Sequence, residues 1–149
     1  MSRKVTNKGF TPTGLSVVAV IGIVMATVFP NPVVGVTRSG TGQAASLVAL
    51  DLERAVTRAV REGKPIRIAC DCANGRYTVA DRASGTVIMT RRVAGGNGQL
   101  GVQTLAFSAT PIDIFPSGLA SGPLTVTLTS DGVSRQVTMS TSGLVSLVR

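Results

Sequence analysis

Two cysteines lie close together in the sequence, with Asp71 between Cys70 and Cys72. Side chains two residues apart on a strand point to the same face of the sheet. In an exported domain, where thiols oxidise, this spacing predicts a disulfide, either within the chain or between two chains. A metal site would need further ligands, and the sequence has no histidine and no third cysteine. Redox catalysis uses two residues between the cysteines and a helix amino terminus, so it is not predicted.

The composition excludes several classes of enzyme. The 149 residues include no histidine, which rules out a hydrolase triad and a histidine-based zinc site. Seven Asp and Glu residues form no pair close enough in sequence to suggest acid–base catalysis. The glycine-rich residues 94–98 lack the Lys-Ser/Thr ending and the following helix of a phosphate-binding loop. We therefore predict that the protein is not an enzyme and uses no cofactor or metal.

The basic residues suggest a different chemistry. Fifteen Lys and Arg give a formal charge of +8, which permits a polyanionic partner such as nucleic acid or an anionic membrane surface. Arg91 and Arg92 lie beside the glycine-rich residues on a predicted mobile loop, where their charge can reach a phosphate backbone. The candidate DNA contacts are Arg91, Arg92, Arg135 and Arg149.

A second group of arginines follows helical spacing. Arg54, Arg58 and Arg61 share one face of a predicted helix. Asp51 and Glu62 are close enough along the helix to pair with them. We interpret this face as solvated rather than as a binding surface.

One helix and several short strands must position these side chains. An apolar stripe on residues 44–62 predicts an amphipathic helix that ends at Gly63 and Pro65. Short β-rich runs separated by turn residues predict antiparallel strands, with a turn at Asp131 and Gly132. The runs cover residues 66–70, 76–80, 86–90, 102–107, 124–129, 136–139 and 144–148. The predicted fold class is α+β, with a helix packed on antiparallel β-sheet.

The amino-terminal residues have the pattern of a membrane anchor. Residues 10–29 carry no charge. At about 1.5 Å per residue, a helix of this length spans roughly 30 Å, the thickness of one hydrocarbon core. Arg3, Lys4 and Lys8 precede the run, so the positive-inside rule places them in the cytoplasm and the rest of the chain outside.

Two other interpretations of residues 10–29 remain. A buried helix of a soluble domain is one, although uncharged runs of this length are unusual in small soluble domains. A secretory signal peptide is the other, but it needs a small-x-small cleavage pattern that residues 26–30 do not supply. We prefer a retained transmembrane helix.

Gly9, Phe10 and Thr11 directly follow the basic leader and directly precede the apolar run. This arrangement resembles the class III signal of type IV pilins and type II secretion pseudopilins. The resemblance implies that a prepilin peptidase cuts between Gly9 and Phe10 and methylates the new amino terminus at Phe10. It also implies that the retained helix anchors the protein and later packs in the core of a filament.

The signal departs from the family pattern at two positions. Family members usually carry Glu at the fifth mature position, and here that position is Gly14. Because an unpaired carboxylate is costly in an apolar layer, its absence suggests a minor or tip-located subunit. Pro12 replaces the usual aliphatic residue, which should stiffen the first helical turn.

The rest of the chain resembles GspH/FimT-type minor pseudopilins. An amphipathic helix ends in residues 61–65 and is followed at once by the strand 66–70. Residues 115–118 then lead into two strands and Ser142-Gly143. FimT-like members are linked to DNA uptake through a basic carboxyl-terminal segment after a glycine, whereas residues 144–149 hold a single basic residue.

Four parts of the chain are predicted. They are a basic leader at 1–9, a transmembrane and assembly helix at 10–29, a flexible joint at 30–43 rich in proline and glycine, and an exported pilin-like domain at 44–149. The expected function is that of a minor subunit, anchored in the inner membrane by a single pass, that joins or primes a type II secretion pseudopilus or a type IV pilus. The expected partners are other pilin or pseudopilin subunits, prepilin peptidase and inner-membrane lipid. A DNA-binding minor pilin acting in DNA uptake is the alternative.

Overall fold

The computed structural model describes residues 35–95 and 100–148. This part of the chain folds into helix α1 (Gly35–Glu62), a 3-10 turn (Cys72–Asn74) and eight strands. The strands are β1 (Ile66–Asp71), β2 (Arg76–Asp81), β3 (Val87–Arg92), β4 (Thr104–Phe107), β5 (Ile112–Ile114), β6 (Leu124–Ser130), β7 (Val133–Met139) and β8 (Val145–Val148).

The strands form two four-stranded sheets, in the orders β3-β2-β1-β5 and β4-β6-β7-β8. All the ladders between named strands are antiparallel. Helix α1 packs against β6, β7 and β8 of the second sheet and against β1 and β5 of the first. The predicted α+β class is confirmed, with the strands divided between two sheets.

The buried face of α1 is made mostly of small residues, which allow the helix to approach both sheets closely. Alternate residues of the strands face it, as the period of two requires. The buried helix residues are Ala44, Ala45, Val48, Ala49, Leu52, Ala55 and Ala59. The strand residues buried in the same core include Ile66, Ile68, Ile114, Leu124, Val126, Leu128, Val137 and Met139.

Local sequence signals explain the hairpin between β6 and β7. Leu124, Val126 and Leu128 are buried and alternate with threonines, as predicted. Asp131 and Gly132 both have positive φ, at 48° and 75°, the backbone that a two-residue turn between twisted strands requires. The predicted turn is therefore confirmed.

Strand β5 was not predicted from the sequence. It has only three residues, Ile112–Ile114, and Pro111 precedes it. The antiparallel ladder with β1 places Asp113 opposite Arg67, whose guanidinium donates to the carboxylate at 2.7 and 3.0 Å. Arg82 lies 3.1 Å from the same carboxylate. The hydrogen bond from Arg67, followed by the charges of Arg67 and Arg82, lowers the pKa of Asp113.

Helix α1 begins earlier than the sequence suggests. A flexible joint was expected over residues 30–43, but the structure makes residues 35–43 helical, and residues 30–34 lie outside the described part. Thr41 is buried, so the helix is already packed against the domain at this position. A Cβ atom at Gly40 would overlap the carbonyl oxygen of Leu100. Glycine at position 40 therefore permits a close approach of the helix to the chain at Leu100 rather than a break in the helix.

In the described residues, no helix is both long and apolar enough to cross a bilayer. The predicted transmembrane segment, residues 10–29, lies outside them.

A network of hydrogen bonds connects α1 to the first sheet. Asp51 is 2% exposed on the buried side of the helix. Its carboxylate accepts a hydrogen bond from the hydroxyl of Tyr77 in β2 at 2.6 Å, and hydrogen bonds from the guanidinium of Arg91 in β3. Arg54 lies 3.8 Å from the same carboxylate. Burial, and then the hydrogen bond to Asp51, raise the pKa of Tyr77, so its hydroxyl stays protonated and remains a donor.

Tyr77 also joins the two sheets. Its ring lies 5.9 Å from the ring of Phe107 in β4, at an interplanar angle of 38°. No buried side-chain nitrogen or oxygen within residues 35–95 and 100–148 lacks a hydrogen-bond partner. The core thus includes a buried charge whose polar partners are supplied by the first sheet.

Gly40 and Gly42, near the start of α1, should respond in opposite directions to replacement by alanine. Gly40→Ala should lower the free energy of unfolding by about 1 to 3 kcal/mol, because the added methyl group overlaps the carbonyl of Leu100. Gly42→Ala is the matched control, since a Cβ there would meet no atom within 4 Å beyond the neighbouring residues and the backbone of the helix itself. It should raise the free energy of unfolding by about 1 kcal/mol through helix propensity alone. Urea unfolding of the full chain in detergent micelles, followed by fluorescence of the single tyrosine, measures both values. Equal effects would contradict the close approach.

Removing the buried charge should weaken the fold strongly. Asp51→Asn leaves the guanidinium of Arg91 without its anionic partner, and we expect a loss of about 3 kcal/mol in the same unfolding measurement. Glu53→Gln, an exposed neutralisation on the same helix, should change stability by less than about 0.5 kcal/mol. Similar losses in both variants would show that Asp51 does not hold the helix to the sheet.

Candidate functional site

Cys70 and Cys72 form a disulfide within one chain. Cys70 lies at the end of β1, and Cys72 opens the 3-10 turn between β1 and β2. Gly75 closes this turn with φ 62°, and a Cβ there would overlap the backbone of Ala94. The backbone N–H of Cys70 donates to the hydroxyl of Thr110 at 2.8 Å. The disulfide therefore belongs to a tight, well-bonded turn, and neither cysteine is free.

Asp71, between the two cysteines, is turned toward polar neighbours. Its carboxylate accepts hydrogen bonds from the amide of Asn74 at 2.9 and 3.0 Å and from the guanidinium of Arg76 at 2.7 Å. The bond from Asn74, followed by that from Arg76, lowers the pKa of Asp71. The carboxylate thus stabilises the turn through these hydrogen bonds. No group of three or more His, Cys, Asp or Glu residues in the described ranges is placed to hold a metal ion.

Two of the candidate DNA contacts lie in a strand. Arg91 and Arg92 belong to β3, and the ladder with β2 continues to the pair Arg76 and Arg92, so the predicted mobile loop is wrong for these two residues. Strand pairing and the hydrogen bonds of Arg91 to Asp51 hold them in place. The bond to Asp51 also raises the pKa of Arg91. The guanidinium of Arg91 is therefore held by the buried carboxylate of Asp51, whereas Arg92 is exposed.

The other two candidate contacts are not brought to the same strand. Arg135 lies in β7, in the second sheet, and Arg149 lies outside the described residues. Of the four candidate contacts, two thus lie in the first sheet, one lies in the second sheet, and one lies outside the described residues.

The arginine face of α1 has the predicted ion pairs. Arg58 Nε lies 2.8 Å from Glu62 Oε1, and Arg54 Nη1 lies 3.8 Å from Asp51 Oδ1. The pairing proposed from helical spacing is confirmed. The exposed pair of Arg58 and Glu62 contributes little to stability.

A groove of about 660 Å³ runs between the first half of α1 and strand β8. Its lining is mainly apolar, and Arg135 is the charged residue among the described residues that form it. Within the same part of the chain, the side chain of Arg135 has no ion pair or hydrogen bond. The lining consists of Gly42, Gln43, Ala45, Ser46, Leu47, Leu50, Arg135, Leu147 and Val148.

This groove was not predicted from the sequence. Strand 144–148 was predicted and its lack of basic residues was noted, but an exposed apolar surface beside it was not expected. Leu147 and Val148 are 50% and 45% exposed, which is unusual for residues of a strand that pairs with the core strand β7. The lack of charge between Gly143 and Arg149 was the available signal.

A second exposed apolar cluster lies at the carboxyl end of α1. The loops around Gly118 and Gly143 meet there, since a Cβ at Gly143 would overlap the carbonyl oxygen of Gly118. A Cβ at Gly118 would contact Val60. Arg82 places its guanidinium 5.9 Å from the ring centre of Phe115. The exposed apolar residues of this region are Val60, Phe115, Leu119 and Leu144.

These features leave two apolar surfaces of the domain available for contacts with other molecules. The carboxylates of Asp51, Asp71 and Asp113 are all engaged by arginines. The surface offers an apolar groove with one unpaired guanidinium and an apolar cluster beside two loops. Such patches on a small domain mark interaction surfaces.

Comparison with known proteins agrees with this architecture. Residues 44–143 match the family model described as type II transport protein GspH. The type IV minor pilin FimU of Pseudomonas aeruginosa superposes with a TM-score of 0.61 at 17% identity, covering 75% of this chain and 90% of FimU. The minor pseudopilin EpsH of the Vibrio cholerae type 2 secretion system superposes with a TM-score of 0.55 at 17% identity, covering 72% of this chain and 95% of EpsH. No curated protein sequence matches the chain significantly.

At these identities the two solved structures show a shared fold, a long helix packed on antiparallel sheets. The family model extends over more than half of the 149 residues and covers α1 from Ala44 onward together with the strands as far as Gly143. The chain therefore belongs to the GspH family and is a type IV pilin-like minor pseudopilin.

Proposed function

We propose that this protein is a minor subunit that joins or primes a type II secretion pseudopilus or a type IV pilus. The observation that carries the proposal is the match of residues 44–143 to the GspH family. The helix on two sheets, the fold of FimU and EpsH, supports it. Pseudopilins assemble with other pilin or pseudopilin subunits, and these are the partners of the two apolar surfaces. The family is a structural one, in agreement with a role that involves no catalysis.

The amino-terminal part would deliver the domain to its site of assembly. In this proposal, prepilin peptidase cleaves between Gly9 and Phe10 and methylates Phe10, and residues 10–29 hold the subunit in the inner membrane. The basic leader, the Gly-Phe-Thr sequence and the uncharged run support this order of events. The pilin-like domain then lies in the periplasm or outside the cell.

We do not propose DNA binding for this subunit. Of the four candidate contacts, Arg91 is held by the buried carboxylate of Asp51, and Arg135 lies in the other sheet. Phosphate contacts need several free charges on one surface. The described residues do not gather these four arginines in that way.

Processing can be tested by changing the cleavage site. Gly9→Leu, expressed in the native host, should leave the chain at its full length, because a bulky side chain replaces the glycine that the peptidase recognises. Ser2→Leu is the control, since it alters the leader away from the cleavage site. The intact mass of the purified protein should show the control shortened by residues 1–9 and carrying one added methyl group. Removal of the same residues from the Gly9→Leu chain would refute the processing step.

The disulfide provides a test of export. In the native host, the full chain should not react with a maleimide reagent until it is reduced, because Cys70 and Cys72 are bonded in an oxidising compartment. A variant lacking residues 1–29 should stay in the cytoplasm and react at both thiols without reduction. The mass added per chain measures the outcome, and Cys70→Ser supplies a reference for a single thiol. If the full chain reacts without reduction, its domain is not held in an oxidising compartment.

A further inference from the structure

Two sheets of four strands have four edges, at β3, β5, β4 and β8. An open edge can pair with a strand of another chain, and proteins usually block it with charge, a covering segment or distortion. A strand of a partner can therefore pair only at an edge that lacks such protection.

Three of these edges are protected. The following loop covers β5, where the N–H of Ser121 donates to the carbonyl of Asp113 at 2.7 Å and Ile114 bridges to Ala120. The 3-10 turn Cys72–Asn74 packs against β4. The ladder of β3 with β2 has a register shift between Val79 and Ala80, and β3 ends in the exposed charge of Arg92.

Strand β8 has none of these protections within the described part of the chain. Its sequence, Val-Ser-Leu-Val, has no charge and no proline, and three of its four residues are exposed. Its ladder with β7 runs without a register shift from Met139 opposite Val145 to Gln136 opposite Val148. An uncharged, regular and exposed edge of this kind favours pairing with another strand.

The groove beside β8 indicates what the added strand should carry. Leu47 and Leu50 of α1 and Leu147 of β8 offer apolar contacts for alternate side chains. Arg135 lines the same groove, is half-buried and has no anionic partner among the described residues. A guanidinium in an apolar groove favours a carboxylate that approaches it there.

We propose that β8 and this groove accept an extended strand of a different subunit, with apolar residues at alternate positions and an acidic residue that pairs with Arg135. This inference rests on the proposed function, since it names the contact through which a neighbouring subunit docks. A second copy of this chain fits less well, because its own β8 has no carboxylate to offer Arg135.

The probes are two short synthetic peptides that alternate threonine and valine, one with a central glutamate and one with a central lysine. They are added to the full chain in detergent micelles, and binding is measured by calorimetry. The native chain should bind the glutamate peptide about tenfold more tightly than the lysine peptide. Backbone amide exchange should slow in β8 when the glutamate peptide is bound.

Three variants assign the contact. Arg135→Glu should reverse the preference between the two peptides. Leu147→Lys should abolish binding of both, because it places a charge on the inner side of the edge strand. Arg92→Glu, a charge reversal on a strand of the other sheet, is the matched control and should behave as the native chain does.

Several results would overturn the proposal. They are no binding of either peptide, equal binding of both, slowed exchange at β3 or β4 instead of β8, or concentration-dependent dimers with slowed exchange at β8 in the absence of peptide. The last would identify a second copy as the occupant. Each of them leaves the processing at Gly9 and the oxidation of Cys70 and Cys72 to be judged separately, so failure here is distinguishable from failure of the proposed function.

Discussion

The position of the long helix depends on one buried carboxylate. Apolar contacts between alanines and two sheets are strong but non-directional, and they permit the helix to turn or slide by a small step. Asp51 removes this freedom, because its oxygens must meet the hydroxyl of Tyr77 and the guanidinium of Arg91 together. A displaced helix would leave a charge buried without partners, which costs far more than a shifted methyl group. The network therefore specifies one arrangement of helix and sheet.

Signals that act over a few residues could be read from the sequence. The apolar stripe of α1, the alternation in β6 and the turn at Asp131 each depend on neighbours in the chain, and they were predicted. Contacts between residues that lie far apart in the sequence were not predicted. Tyr77 is 26 residues from Asp51 and Arg91 is 40 residues from it, so no periodicity connects them.

The start of α1 and the strand β5 were missed for a related reason. Both depend on tertiary contacts that outweigh local propensity: the close approach at Gly40, and the pairing of Asp113 with Arg67. The cysteine spacing indicated a disulfide directly, whereas the uncharged residues after Gly143 did not by themselves show that β8 borders a groove. Whether a strand lies at an edge depends on the strand order of the sheet, β4-β6-β7-β8. In this order β6 pairs with β4, although β5, which lies between them in the sequence, belongs to the other sheet.

The unequal protection of the four edges limits how far the proposed strand pairing could extend. A loop covers β5, a turn packs against β4, and charged side chains end β3. The described domain can therefore accept one strand, at β8, and offers no second open edge to another chain. A contact that is accepted but not repeated cannot propagate into a polymer of identical subunits. It ends after one addition. If a partner strand adds at β8 as proposed, it would therefore pair with one copy of this chain.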